Sequence, residues 1–407
     1  MSVIFPFAEE LDPRLPLSGV KVVDLSRLLP GPHATLMLAD LGADVIKIED
    51  TLLGDYLRWG WPPGENPAFM QLNRNKRSLT LNLKLPVARE IFKKIVAEAD
   101  ILLESFRPGV MARLGLAYED LTQINPGLIY CAISGYGQTG PYKNRAGHDL
   151  NYVGYAGALA QTGPSDGAPV IPGAQIADLA GGSLMSLVGI LAALHGRQAT
   201  GKGRFVDIAM TGGVTGLLPY QASMALATGE PIRRSEWRLN GGLPEYAVYE
   251  TGDGKYLTVG ALEPKFFNRL CTLLGMPEYD EVNANPERAT IIRSKLAAAF
   301  KSRSRAEWLE ILAGEEVCVG PAYELNEVFD DPQALARGVV VEAAHPRAGK
   351  VRQLGLPFVL DGLEPQSVVR QPSPGYGEHN ASILAVMGYS PEDIEQLRQD
   401  GIIGQEQ

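Results

Sequence analysis

The chain has 407 residues, 45% of them apolar, which is enough for a substantial core and for two domains, or one large domain with a smaller insertion. A formal net charge of −10 and a pI near 5.2 argue against nonspecific nucleic-acid binding. The three cysteines (Cys131, Cys271, Cys318) are scattered without metal-ligand spacing and read as reduced packing thiols of a cytoplasmic protein.

In chain order, the N-terminus lacks a basic, then apolar, leader, so no secretory signal is expected. Val20–Leu25 reads as a buried strand, 33–41 as a helix ending at Gly42, and Val45–Ile48 as the next strand. Residues 50–72, with Pro62-Pro63-Gly64, read as a surface loop. Leu79–Leu83 is a strand and Val87–Ala97 an amphipathic helix; Ile101–Leu103 and Leu128–Ser134 are further strands. Strands alternating with helices predict an α/β fold with a Rossmann-like parallel sheet. Asp178–Leu194 reads as a long helix with Asp178 at its N-cap, and Arg204–Ala209 as a strand. The apolar stretch Leu184–Leu194 is too short to span a bilayer, so no membrane partner is expected. From about residue 230 the pattern changes. Tyr246–Glu250 and Tyr256–Val259 flank Thr251-Gly252-Asp253-Gly254-Lys255 as a hairpin, and helices follow at about 264–274, 288–300 and 304–313. The expected division is a large α/β domain over 1–225, a small α+β domain over 226–330, and a return to the large domain over 331–407. The tail 377–400 is helical, with Ser390-Pro391-Glu392 opening its last helix.

Dinucleotide binding is disfavoured, because the turn Ser26–Pro32 has no G-x-G-x-x-G and its two prolines remove backbone donors. No P-loop, H-E-x-x-H or G-x-S-x-G is present, and neither a metal nor a redox cofactor is signalled. The chemistry points instead to three Gly-rich segments: Gly147-His148-Asp149-Leu150-Asn151-Tyr152, Ile176–Gly182 around Asp178, and Gly260–Pro264 around Glu263. An imidazole and a carboxyl can act as two separate proton-transfer groups on opposite faces of one carbon. For each residue alone the plainer reading is a packed imidazole, an N-cap and a helix first-turn acid. The second constellation is cationic. Asn73-Arg74-Asn75-Lys76-Arg77 reads as a loop before a strand, Ser105-Phe106-Arg107 follows another strand, and Arg113 lies a short helix further on. Loops at the carboxyl ends of parallel strands form a ligand-binding rim, and arginine suits phosphate through its fork. A solvated charged loop is the plainer reading of the Arg74–Arg77 run.

These motifs, with Pro16–Leu25, Pro30-Gly31-Pro32, Asp40–Val45, Arg107–Val110, Arg113–Leu116 and Gly135–Pro141, resemble the family III CoA-transferase superfamily over most of residues 15–345. Within it the chain most resembles the α-methylacyl-CoA racemases. The resemblance implies an acyl-CoA thioester substrate, no cofactor beyond the CoA moiety, and an interlocked homodimer. It implies CoA-binding roles for Arg74, Lys76, Arg77, Ser105, Phe106, Arg107, Arg113, Gly147, Asp149, Asn151 and Tyr152, and a catalytic set of His148, Asp178 and Glu263. Gly-His-Asp and the Glu263 segment resemble the racemases, which move a proton at the α-carbon. Transferases share the Asp178 position, where the carboxylate becomes an acyl anhydride and then a CoA thioester. Asp50 departs from the many relatives that have a base there, and the tail around Gly377–Ser390 does not discriminate. Backbone N–H groups near Leu179–Gly182 are the expected oxyanion donors.

Overall fold

The computed structural model describes residues 4–5, 12–59, 66–276 and 286–406. Pro62-Pro63-Gly64 lies outside them. The chain divides into two compact units: Met1–Ala156 with Ala174–Leu217 and Pro332–Gln407, and Gly157–Gly173 with Leu218–Asp331. The second unit thus begins eight residues before the expected 226 and also takes in Gly157–Gly173.

The first unit is built on six parallel strands: β1 (Lys21–Leu25), β2 (Asp44–Glu49), β3 (Lys76–Thr80), β4 (Ile101–Glu104), β5 (Ile129–Ser134) and β6 (Phe205–Ala209). Their order is β3-β2-β1-β4-β5-β6, every neighbouring pair parallel. The order reverses between β1 and β4, where the outgoing loops diverge and leave a crevice at the strands' carboxyl ends. The helices of this unit include α1 (Pro30–Asp40), α2 (Pro67–Asn73), α3 (Pro86–Glu98), the single turns α4 (Val110–Arg113) and α5 (Tyr118–Leu121), and α6 (Asp149–Tyr155). A π-helical segment, Ala177–Leu184, runs into α7 (Met185–Thr200), and α8 (Met210–Thr215) follows β6. Ile91, Phe92 and Ile95 of α3 pack on Val23, Ile46, Leu79 and Leu102 of the sheet, and Ile383 and Leu384 from the tail join the same core. Asn380 Oδ1 accepts the Thr80 N–H at 2.8 Å, which fixes the tail to the end of β3.

Two expectations need correcting here. First, β3 starts at Lys76, three residues before the apolar run at Leu79, so Lys76 and Arg77 are strand residues rather than loop residues. Each cation in this segment has a carboxylate partner inside the unit: Arg74–Asp40 at 2.6 Å, Lys76–Asp24 at 3.2 Å and Arg77–Asp44 at 2.8 Å, all buried. Second, the stretch taken as too short for a bilayer belongs to a continuous 24-residue helix, Ala177–Thr200, long and apolar enough by length and composition to cross one. It packs on β5 and β6.

The second unit holds a three-stranded antiparallel sheet, Tyr246–Glu250, Tyr256–Gly260 and Val319–Ala322, with the expected hairpin as its first pair. Helices Pro264–Leu273, Pro286–Phe300 and Arg305–Ile311 cover it, burying Phe267, Leu270, Leu296, Phe300 and Trp308.

Candidate active site

A cavity of about 570 Å³ opens at the switch point of the sheet. Arg27 and Leu28 enter it from the end of β1, Ser105 to Pro108 from the end of β4, Ile133 to Gly135 from β5, and Met210 from the end of β6. His148 stands at its wall as the N-cap residue of α6, and Asp178 lies in the first turn of the π-helical segment. The two side chains singled out from sequence therefore line one cavity.

Asp178 is not the N-cap. Asp149 takes that role from another helix: its Oδ1 accepts the N–H of Ala177 at 2.7 Å and of Asp178 at 3.0 Å. A carboxylate is well suited to unpaired N–H groups at a helix start. The same carboxylate acts on the titration of its neighbour. Burial pushes the Asp178 carboxyl up to about 6, Asp149 adds to the rise, and His148 opposes it. The Leu179 N–H is bonded to Gln175 O at 2.9 Å, so Ala177, Asp178 and Leu179 offer no unpaired N–H as an oxyanion donor. Gly181 and Gly182 serve packing instead: a Cβ on Gly181 would lie 2.5 Å from Met210 O, and one on Gly182 3.1 Å from Pro30 Cβ.

The Gly-His-Asp turn is held by its own side chains. Asn151 Oδ1 accepts the His148 N–H at 3.1 Å, and the Tyr152 hydroxyl donates to Gly147 O. Gly147 has to be glycine here, since a Cβ would meet the Tyr152 ring at 2.7 Å. Burial pushes the Tyr152 phenol up to about 12, so it stays a neutral donor. Beneath the rim, Glu104 is buried at the end of β4 and accepts the Phe106 N–H at 2.7 Å. Burial pushes its carboxyl up to about 8 against that hydrogen bond, with Asp207 adding to the rise. Ser134 Oγ, buried in the cavity wall, has no hydrogen-bond partner among the described residues.

Four cations face the cavity: Arg27, Arg107, Lys143 and Arg145. The Arg27 guanidinium stacks 4.6 Å from the Tyr56 ring centroid and 5.6 Å from that of Phe106. Arg145 stacks on Tyr142 at 4.0 Å and bonds the Tyr155 hydroxyl. The position of Arg27 is fixed from below: Leu28, at φ 65, donates its N–H to Asp55 Oδ1 at 3.1 Å, and Asp55 pairs with buried Lys47 at 2.9 Å.

Of the residues singled out from sequence, Ser105, Phe106, Arg107, Gly147, His148, Asn151, Tyr152 and Asp178 line this cavity. Asp149 supports it from behind. Arg74, Lys76 and Arg77 do not reach it, because their charges are matched by Asp40, Asp24 and Asp44 in the interior. Arg113, at the end of α4, is not among the lining residues. Glu263 belongs to the second unit, where it is the N-cap residue of Pro264–Leu273. Arg27, Lys143 and Arg145 were missed. For Arg27 a signal existed, since it lies two residues past the end of β1, on the same rim that pointed to Arg107 after β4.

The model of CoA-transferase family III matches residues 17–380. A succinyl-CoA:glutarate CoA-transferase of Mus musculus is 38% identical, with 97% of this chain and 92% of that protein covered. An alpha-methylacyl-CoA racemase of Homo sapiens is 36% identical, with 95% and 97% covered. Among solved structures, a CAIB/BAIF family protein from Brucella suis superposes with a TM-score of 0.79 at 36% identity, covering 91% of this chain and 98% of that one.

Proposed function

We propose a reaction from one premise: the chain belongs to CoA-transferase family III, an enzyme superfamily of transferases and racemases. Our reading is a racemase or epimerase that moves a proton at the α-carbon of 2-methylacyl-CoA thioesters. The observation that carries it is that His148 and Asp178 line one cavity, with the Asp178 carboxyl raised to about 6. A group that titrates near the working pH spends part of its time as an acid and part as a base, as a two-base exchange requires. His148 takes the α-proton from one face of the thioester. Asp178, in its acid form, gives its proton to the opposite face. The product leaves with inverted configuration, His148 protonated and Asp178 ionised, and exchange with water resets both. The enolate charge develops among Arg27, Arg107, Lys143 and Arg145, which also suit the phosphates of CoA. The Ser134 hydroxyl supplies a further polar contact for the ligand. This reading includes a homodimer, and it keeps Glu263 as a third candidate for the chemistry.

The second reading is CoA transfer between carboxylic acids. One observation favours it: no described residue donates a hydrogen bond to the Asp178 carboxylate, which leaves it free to attack a thioester carbonyl. Incubation with 2-methylbutanoyl-CoA in heavy water separates the two. Proton transfer incorporates deuterium at the α-carbon, equilibrates the epimers and leaves the protein mass unchanged. His148→Ala should slow this exchange on the order of 10²–10⁴-fold while CoA still binds. A hydroxylamine-sensitive mass increase on the Asp178 peptide, with no α-exchange, moves the protein to the transferases.

A further inference from the structure

The segment 50–59, which follows β2, reaches the catalytic cavity but has little apolar anchorage of its own: Leu52, Leu53 and Trp59 are exposed. Its first turn is local, with Asp50 Oδ1 accepting the N–H groups of Leu52 and Leu53 at 2.9 Å each. Two of its side chains nevertheless set the cavity wall. Tyr56 lines the cavity and carries the Arg27 guanidinium on its ring. Asp55 Oδ1 accepts the N–H of Leu28 at 3.1 Å and of Leu57 at 3.0 Å, joining the two stretches that bear Arg27 and Tyr56. Leu28 sits at φ 65, where a leucine stays only if its surroundings hold it.

What holds this segment is the stretch 374–376, just before the helix Asn380–Val386. The Tyr376 hydroxyl donates to Asp50 O at 2.8 Å, and burial pushes the phenol up to about 12, so it stays a neutral donor. Its ring packs against the backbone of Gly54, where a Cβ would lie 2.9 Å from it. Arg58 closes the other end of the segment. Its fork holds Glu49 at 2.8 and 2.7 Å, another N–H reaches Pro374 O at 3.1 Å, and the guanidinium stacks 3.8 Å from the Phe69 ring centroid. Glu49 in turn accepts the Asp55 N–H at 2.9 Å. The stretch 374–376 is itself anchored on β3, since the Gly377 N–H donates to Ser78 Oγ at 3.0 Å and Asn380 holds Thr80. All of these residues belong to the first unit.

We infer that Tyr376 is a positioning residue for the CoA ligand, acting through the segment 50–59 on Arg27. The inference rests on the proposed CoA chemistry of the cavity, and calorimetry of CoA with the full chain tests it without turnover. Arg27→Ala sets the ceiling, because a residue that acts through Arg27 cannot cost more affinity than Arg27 itself. Tyr376→Phe removes one hydrogen bond and keeps the buried ring, so the fold is retained, and CoA affinity should fall roughly threefold. Tyr376→Ala should approach the Arg27→Ala loss. In an Arg27→Ala background both Tyr376 variants should bind CoA as Arg27→Ala alone does, a non-additivity that a general loss of stability does not produce. Turnover of Tyr376→Phe should show an unchanged kcat, with the whole effect in KM. Three results would overturn the inference. One is undiminished CoA affinity in Tyr376→Phe. Another is undiminished affinity in Arg27→Ala. The third is additive losses in the double variants, which would leave the stretch 374–376 a clamp for the fold alone. Failure of the unmodified protein to bind CoA rejects the CoA reading and this assignment with it, whereas binding with additive losses rejects the assignment alone.

Discussion

Replacing Asp178 with Asn should stabilise the protein, and the gain should depend on pH in a defined direction. The Asp178 carboxyl titrates at 3.8 when unperturbed and at about 6 in the folded chain, because burial and then Asp149 disfavour its charge. Between those values the unfolded chain releases the proton and the folded chain holds it, so stability falls as pH rises through the window. Below about pH 4 both states are protonated and the residue costs nothing. Above about pH 6 the full penalty is present. At about 1.4 kcal/mol per pKa unit its ceiling is about 3 kcal/mol, and screening at this half-buried group reduces the working figure to roughly 1–2 kcal/mol. Asn keeps the shape and removes the titration. Thermal denaturation of the two proteins in parallel, from pH 4 to pH 8, gives the readout. The melting temperatures should nearly coincide at pH 4, separate between pH 4 and 6, and hold a constant gap of a few degrees in favour of Asp178→Asn above that. A gap independent of pH, or one that closes as pH rises, would refute the claim that Asp178 is held against its charge.

The two groups of arginines should behave oppositely. Arg74→Ala leaves buried Asp40 without its partner and should cost about 3–5 kcal/mol in denaturant unfolding, with CoA affinity of the folded protein unchanged. Arg107→Ala should leave stability nearly untouched and weaken CoA binding by roughly ten- to a hundredfold, with a smaller salt dependence. Asp149→Asn retains an oxygen to accept the Ala177 and Asp178 N–H groups but removes one cause of the raised Asp178 titration. The Asp178-dependent limb of the pH–rate profile should therefore move below pH 6 while staying above 3.8, since burial remains. An unmoved limb would assign it to another group.

Most of the parallel sheet was legible because β1, β4 and β5 are short, mainly apolar runs bounded by turns, the usual pattern for strands covered on both faces, and in β2 Val45, Ile46 and Ile48 keep that pattern around a single buried lysine, Lys47. β3 was misplaced because Lys76, Arg77 and Ser78 are polar yet buried, and hydrophobic patterning cannot register a cation whose partner lies on a different strand or helix. The same blindness made Arg74–Arg77 look like a ligand-binding loop. His148 and Asp178 were legible from their Gly-rich settings together with the family resemblance. The role of Asp149 was not, since it caps a helix that begins 28 residues later and only the folded chain brings the two together. Lys143 and Arg145 had no signal of their own, for they lie in an exposed segment whose composition is that of an ordinary surface turn.

The position of Asp149 makes geometry and acidity at the site inseparable. It is the first residue of α6, immediately after His148, and its Oδ1 holds the first turn that carries Asp178. One carboxylate therefore ties the start of α6 to the start of the π-helical segment, and it also raises the titration of Asp178. A neutral cap such as Ser or Asn would satisfy the same N–H groups, so capping alone does not require a charge here. A charge at that point is unfavourable for Asp178 as an anion and favourable for it as an acid. Two-base proton transfer needs that bias, whereas a carboxylate acting as a nucleophile must stay ionised against it. For this reason the pH behaviour of Asp149→Asn bears on the choice between racemase and transferase as directly as trapping an adduct does.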